Sequence, residues 1–158
     1  MYKDRSNKRN VSWLIIAFIY SGLLIIPPLV NKTYEKKQPT ETRIEIINDA
    51  LKFKGTNQNS FDCSGFTRYI YKKHGISLPI TANRQYSDAF EIISKEDAKK
   101  GDLIFFRINS KKISHVGIYT GDSRFIHSPG KNKVIRIDSL DEYWKPKLAG
   151  FCTFFPDN

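Results

Sequence analysis

From Glu41 onward, apolar residues first recur with a helical period and then with the short alternation of strands. Ile44, Ile47 and Leu51, with Ile46, Ala50 and Phe53 beside them, predict a first helix over Glu41–Phe53, stopped by Gly55. Phe66, Tyr69 and Ile70 share one face of a second helix that begins at or beside Cys63, with Asp62 as N-cap and Gly75 after the last turn. Thr81–Asp88 predicts a short third helix, and Ser94 with Asp97 a capping-box-like turn. After Gly101 the period changes. Leu103–Ile108, His115–Tyr119, Arg124–His127, Val134–Asp138 and Gly150–Phe155 read as strands, and turn residues between the first four suit hairpins. Helices followed by an antiparallel meander define an α+β class: N-terminal helices packed on a sheet of about five strands.

The segment before Glu41 has a different pattern. Val11–Val30 holds twenty residues without a charge, enough to cross a hydrocarbon core about 30 Å thick as one helix. Trp13 lies near one end, where interfacial aromatics gather. A cleaved signal peptide is the rival reading, but no small residue of the kind cleavage needs follows between Leu23 and Pro39. The expected organisation is a basic tail over 1–10, a transmembrane signal-anchor over 11–30, a polar linker over 31–40 and one domain over 41–158.

A net charge of +10 changes little in this picture, because half of the excess flanks the apolar segment. The remainder is spread without a dense Arg/Lys stripe, and no nucleic-acid-binding signature is present, so nucleic acid is not an expected partner. A hydrophobic content of 40% suits a globular domain, and two cysteines cannot form a disulfide scaffold.

The candidate chemistry lies around Cys63, in the stretch FDCSGF. A thiol at a helix start meets unpaired N–H groups and the helix dipole, which favour the thiolate and could hold an oxyanion. A cysteine nucleophile also needs an imidazole, oriented by a third polar group. His74 is excluded, because 11 residues along the same helix place it roughly 16 Å away. His115 and His127 are twelve residues apart across a tight Gly-Asp-Ser turn, so the hairpin brings them near each other on one face. Two alternatives stay open on residue type alone: a metal site from Cys63, His115, His127 and Cys152, and a Cys63–Cys152 disulfide.

FDCSGF at 61–66, HVGIYTG at 115–121 and FIH at 125–127 resemble the NlpC/P60 family of papain-like cysteine peptidases. GISLP at 75–79, Gln85 and KKGDLIFF at 99–106 agree in order and spacing. The resemblance implies Cys63 as nucleophile, His115 as general base and His127 as the orienting residue, without a cofactor or metal. It implies peptidoglycan stem peptides as substrate, cut between D-glutamate and a diamino acid, with Asp62 and Ser64 at positions that help bind a free stem amine. A non-catalytic wall-binding module and a lipid acyltransferase are the alternative functions on this fold. Such a substrate places the domain outside a bacterial membrane to which residues 11–30 anchor it. In LKFKGTNQNS at 51–60 a frequent family tyrosine is missing, and Ile80 stands where arginine often follows the Leu-Pro pair; the first departure bears on substrate choice.

Overall fold

The computed structural model describes residues 39–57, 61–109 and 111–156. The expected tail, anchor and most of the linker, residues 1–38, lie outside the described residues. Among the described residues no helix is long and apolar enough to cross a membrane.

Three helices lead the domain: α1 (Pro39–Leu51), α2 (Cys63–Lys73) and α3 (Ala82–Ser87). Six strands follow: β1 (Glu91–Ile93), β2 (Leu103–Phe106), β3 (His115–Gly121), β4 (Arg124–His127), β5 (Arg136–Ser139) and β6 (Leu148–Thr153). They form one antiparallel sheet in the order β1-β6-β2-β3-β4-β5. The sheet therefore has six strands, not the five expected. The additional strand, β1, is three residues long, lies at the edge and leaves Ile92 59% exposed, so it carries no buried alternation.

The buried face of α1 also differs from the expected one. Arg43, Ile46 and Ala50 point inward, whereas Ile44 is exposed. Arg43 turns in because Asp102 waits there, fully buried at the start of β2. The guanidinium donates to Asp102 Oδ1 and to Thr153 Oγ1 (2.8 Å) and lies over the Phe155 ring. The Lys99 N–H donates to the other carboxylate oxygen at 2.7 Å, so the KKGD stretch anchors the helices to the sheet.

Each face of the sheet carries its own core. On one, Ile46, Ala50, Phe66 and Ile70 from the helices meet Leu103, Phe105, Val116, Ile118, Ile126 and Cys152. On the other, Ile104, Phe106, Tyr119, Phe125 and Phe151 are closed over by Trp144. Each fully buried Phe contributes on the order of 1.5–3 kcal/mol. The β3–β4 hairpin turns through Asp122 and Ser123, both in the left-handed region (φ 51° and 54°), a twist that suits a two-residue hairpin turn.

Candidate active site

The Asp62 carboxylate caps α2, accepting from the Gly65 N–H at 2.6 Å and from the Ser64 hydroxyl at 3.2 Å. Ser64 is buried and Asp62 exposed. Gln85, fully buried, donates to the carbonyls of Ser64 (3.2 Å) and Pro79 (2.9 Å) and accepts from Thr67, which fixes the first turn of α2. Ser128, just after β4, donates to the Phe61 carbonyl at 3.0 Å and ties the start of α2 to the sheet. These bonds determine where Cys63 stands. Its half-buried sulfur lies 4.0 Å from the Ser114 carbonyl and is met by the Val116 N–H, the backbone groups on either side of His115.

The helix start does not leave this thiol acidic, contrary to expectation. Burial pushes its pKa up, and the Asp62 charge adds to the rise; the N–H groups of Val116 and Ser64 pull the other way without cancelling it. The resting group is a protonated thiol.

His115 and His127 come together as the hairpin spacing predicts. His115 Nε2 is 2.7 Å from His127 Nδ1, with the rings nearly perpendicular. They are near-opposite with the two-residue offset that seven residues before the turn and five after it imply: the β3–β4 register pairs Ile118 with Ile126 and so places Gly117 across from His127. The chain of contacts continues from His127 Nε2 to Asp138 Oδ2 at 3.1 Å. In the β4–β5 register His127 faces Arg136, so Asp138 is again two residues along. The relay thus steps diagonally across three strands.

Asp138, Arg136 and Trp144 were not among the residues expected from the sequence. Arg136 donates to both oxygens of Asp138, at 2.9 and 3.0 Å, and Trp144 Nε1 donates to Oδ2 at 3.0 Å. The Trp144 ring also stacks on His115, with centroids 5.3 Å apart. The alternation in Val134–Asp138 puts Arg136 and Asp138 on one face, which was a readable signal for a charged pair beside His127.

Burial governs the electrostatics. It pushes His115 down to about 3, with the neighbouring His127 adding to the shift, and His127 down to about 4 against the opposing pull of Asp138. Burial raises Asp138, but the hydrogen bond from Arg136, the imidazole of His127 and the Trp144 N–H outweigh it and hold the carboxyl below its ordinary range. Both histidines are neutral near pH 7, a state in which an imidazole can accept a proton.

His74 caps the far end of α2 between Glu45 and Asp49, outside the site. Cys152 is buried in β6 opposite Leu103, and burial pushes its thiol up to about 12. Both cysteines are free thiols. Among the described residues no group of three His, Cys, Asp or Glu side chains could hold a metal ion.

With helix, sheet and thiol so arranged, the class is that of a papain-like α+β fold. The NlpC/P60 family matches residues 49–153, and the chain belongs to that family. It is 41% identical over 106 residues to "Probable endopeptidase p60" of Listeria innocua, covering 66% of this chain and 22% of that protein. It is 38% identical over 112 residues to "Gamma-D-glutamyl-L-lysine dipeptidyl-peptidase" of Bacillus cereus, covering 65% of this chain and 33% of that one. A crystal structure from Staphylococcus aureus, described as similar to lipoprotein of the NLP/P60 family, superposes with a TM-score of 0.66 at 35% identity, over 79% of this chain and 45% of that one. The chain therefore spans between a fifth and a third of the length of these two curated relatives.

Proposed function

We propose that the domain is a thiol peptidase that hydrolyses amide bonds in peptidoglycan stem peptides, between D-glutamate and a diamino acid. The observation that carries this reading is the convergence of Cys63, at the start of α2, on the backbone flanking His115, itself 2.7 Å from His127. Of the two curated relatives, the name of one, an endopeptidase, supports peptide hydrolysis, and that of the other, a γ-D-glutamyl-L-lysine dipeptidyl-peptidase, supports this class of bond.

As the Cys63 sulfur attacks the amide carbonyl carbon, His115 takes the thiol proton; a neutral, buried imidazole suits this step better than a preformed ion pair. N–H groups at the start of α2 hold the oxyanion. When the C–N bond breaks, His115 returns the proton to the leaving amine. It then deprotonates the water that releases the acyl group from sulfur. Asp62 and Ser64 border the nucleophile, and the exposed Asp62 carboxylate is a site for a stem amine. Residues 11–30, uncharged throughout, would anchor the domain at the outer face of a bacterial membrane, near newly made wall.

Digestion of purified muropeptides by the full-length chain, read by product masses, tests this function. Fragments ending in D-glutamate are expected. Binding without cleavage, or turnover of phospholipid instead, would replace the proposal by a wall-binding or a lipid-acyl function.

A further inference from the structure

His127 Nε2, Arg136 and Trp144 Nε1 converge on the carboxylate of Asp138. Arg136 and Trp144 can only donate, and an ionised carboxylate can only accept. The 3.1 Å contact with His127 therefore needs a proton on Nε2 of that ring. A neutral imidazole carries one N–H, so His127 Nδ1 is a bare acceptor. The 2.7 Å contact from His115 Nε2 is then an N–H donating to it, and the single proton of the His115 ring is used there. His115 Nδ1 is left bare, as the basic nitrogen of the pair.

We infer that Asp138 is a positioning residue that acts through His127 to fix the tautomers of both histidines, so that His115 presents Nδ1 as proton acceptor to Cys63. The relay is Asp138, His127, His115, with the carboxylate held in turn by Arg136 and Trp144. This rests on the reading of Cys63 and His115 as the reacting pair. Trp144 has a double part, because its ring stacks on His115 while its N–H holds the carboxylate.

Nitrogen-15 shifts of the imidazoles in the full-length chain at neutral pH test the assignment without any substrate. Both His115 and His127 should show a protonated Nε2 and a bare Nδ1. A protonated Nδ1 on His127 overturns the inference, whether or not the protein cleaves peptidoglycan. Asp138→Ala should mix the His127 tautomers and lower kcat by about 10- to 100-fold, with KM changed by less than about threefold. In Asp138→Asn the carbonyl oxygen can take the place of Oδ2 before three donors, leaving the amide NH2 opposed only to Arg136 Nε. This variant should restore the Nε2–H tautomer of His127 and part of the kcat, and it decides the matter if the alanine variant does not fold. Wild-type tautomers in Asp138→Ala, or a kcat lost only in proportion to unfolded protein, would make Asp138 a structural residue and end the proposal. Absence of hydrolysis by the wild type with the tautomer pattern intact would instead overturn the proposed function.

Discussion

Gly117 stands across from His127 with no room for a side chain between them. A Cβ at 117 would lie 3.2 Å from the His127 Cβ, 3.1 Å from the Ile126 carbonyl oxygen and 2.7 Å from Phe125 Cδ2. His127 can lean over β3 to reach His115 only because this position has no side chain. Gly117→Ala should push Phe125 and His127 outward, destabilise the fold by about 1–3 kcal/mol, and lower hydrolysis by more than the loss of folded protein explains. Urea unfolding alongside muropeptide turnover measures both; unchanged turnover per folded molecule would show that the ring tolerates displacement.

The resting state of the thiol gives a second prediction. Burial holds Cys63 above the ordinary thiol range and His115 below the ordinary imidazole range, so both groups rest uncharged. Alkylation by iodoacetamide in the absence of substrate should be slow at neutral pH and keep rising into alkaline pH, following the thiolate. A fast rate that persists to pH 5 would reveal a preformed ion pair.

Acid should destabilise the domain through the same buried rings. An unfolded histidine titrates near about 6.5, whereas His115 and His127 titrate at about 3 and about 4 in the fold. Between these values the unfolded chain binds protons that the folded one does not, so stability is retained above pH of about 6.5 and falls with pH below it. Each ring removes roughly 1.4 kcal/mol per pH unit, or roughly 4 kcal/mol for both by pH 5. Asp138, whose folded pKa is depressed, acts in the same direction but only below the ordinary carboxylate range. Urea midpoints at pH 7 and pH 5 should show the loss, and His127→Gln should remove about half of it; a flat profile in this window would contradict the neutral, buried pair.

The Arg43–Asp102 pair gives a prediction about stability alone. Asp102 is fully buried, and Arg43→Met would leave its charge with the Lys99 N–H but without a cation. A loss of about 3–5 kcal/mol is expected, since removing one partner of a buried pair strands the other. Thermal and urea unfolding would measure it, and turnover per folded molecule should stay at the wild-type level.

What could be read from the sequence was whatever depends on neighbours along the chain. Asp62 as cap, Cys63 at the helix start and two histidines in one hairpin all follow from local spacing, and the structure has each of them. The inward turn of Arg43 was hidden because its partner lies 59 residues away. The step from His127 to Asp138 needed the β4–β5 register, which periodicity does not supply. The direction of the Cys63 shift was misread because the helix dipole is visible in a sequence and desolvation is not. Trp144 offered no periodic signal; it follows β5 in an irregular segment and reaches the site only through the fold.

The central claim is that Cys63 is the nucleophile, and Cys63→Ala tests it most directly. The full-length variant, shown to be folded by circular dichroism, is incubated with purified muropeptides beside the wild type, and the products are weighed by mass spectrometry. Cleavage products from the wild type and none from Cys63→Ala are expected, whereas wild-type-like cleavage by Cys63→Ala would contradict the mechanism.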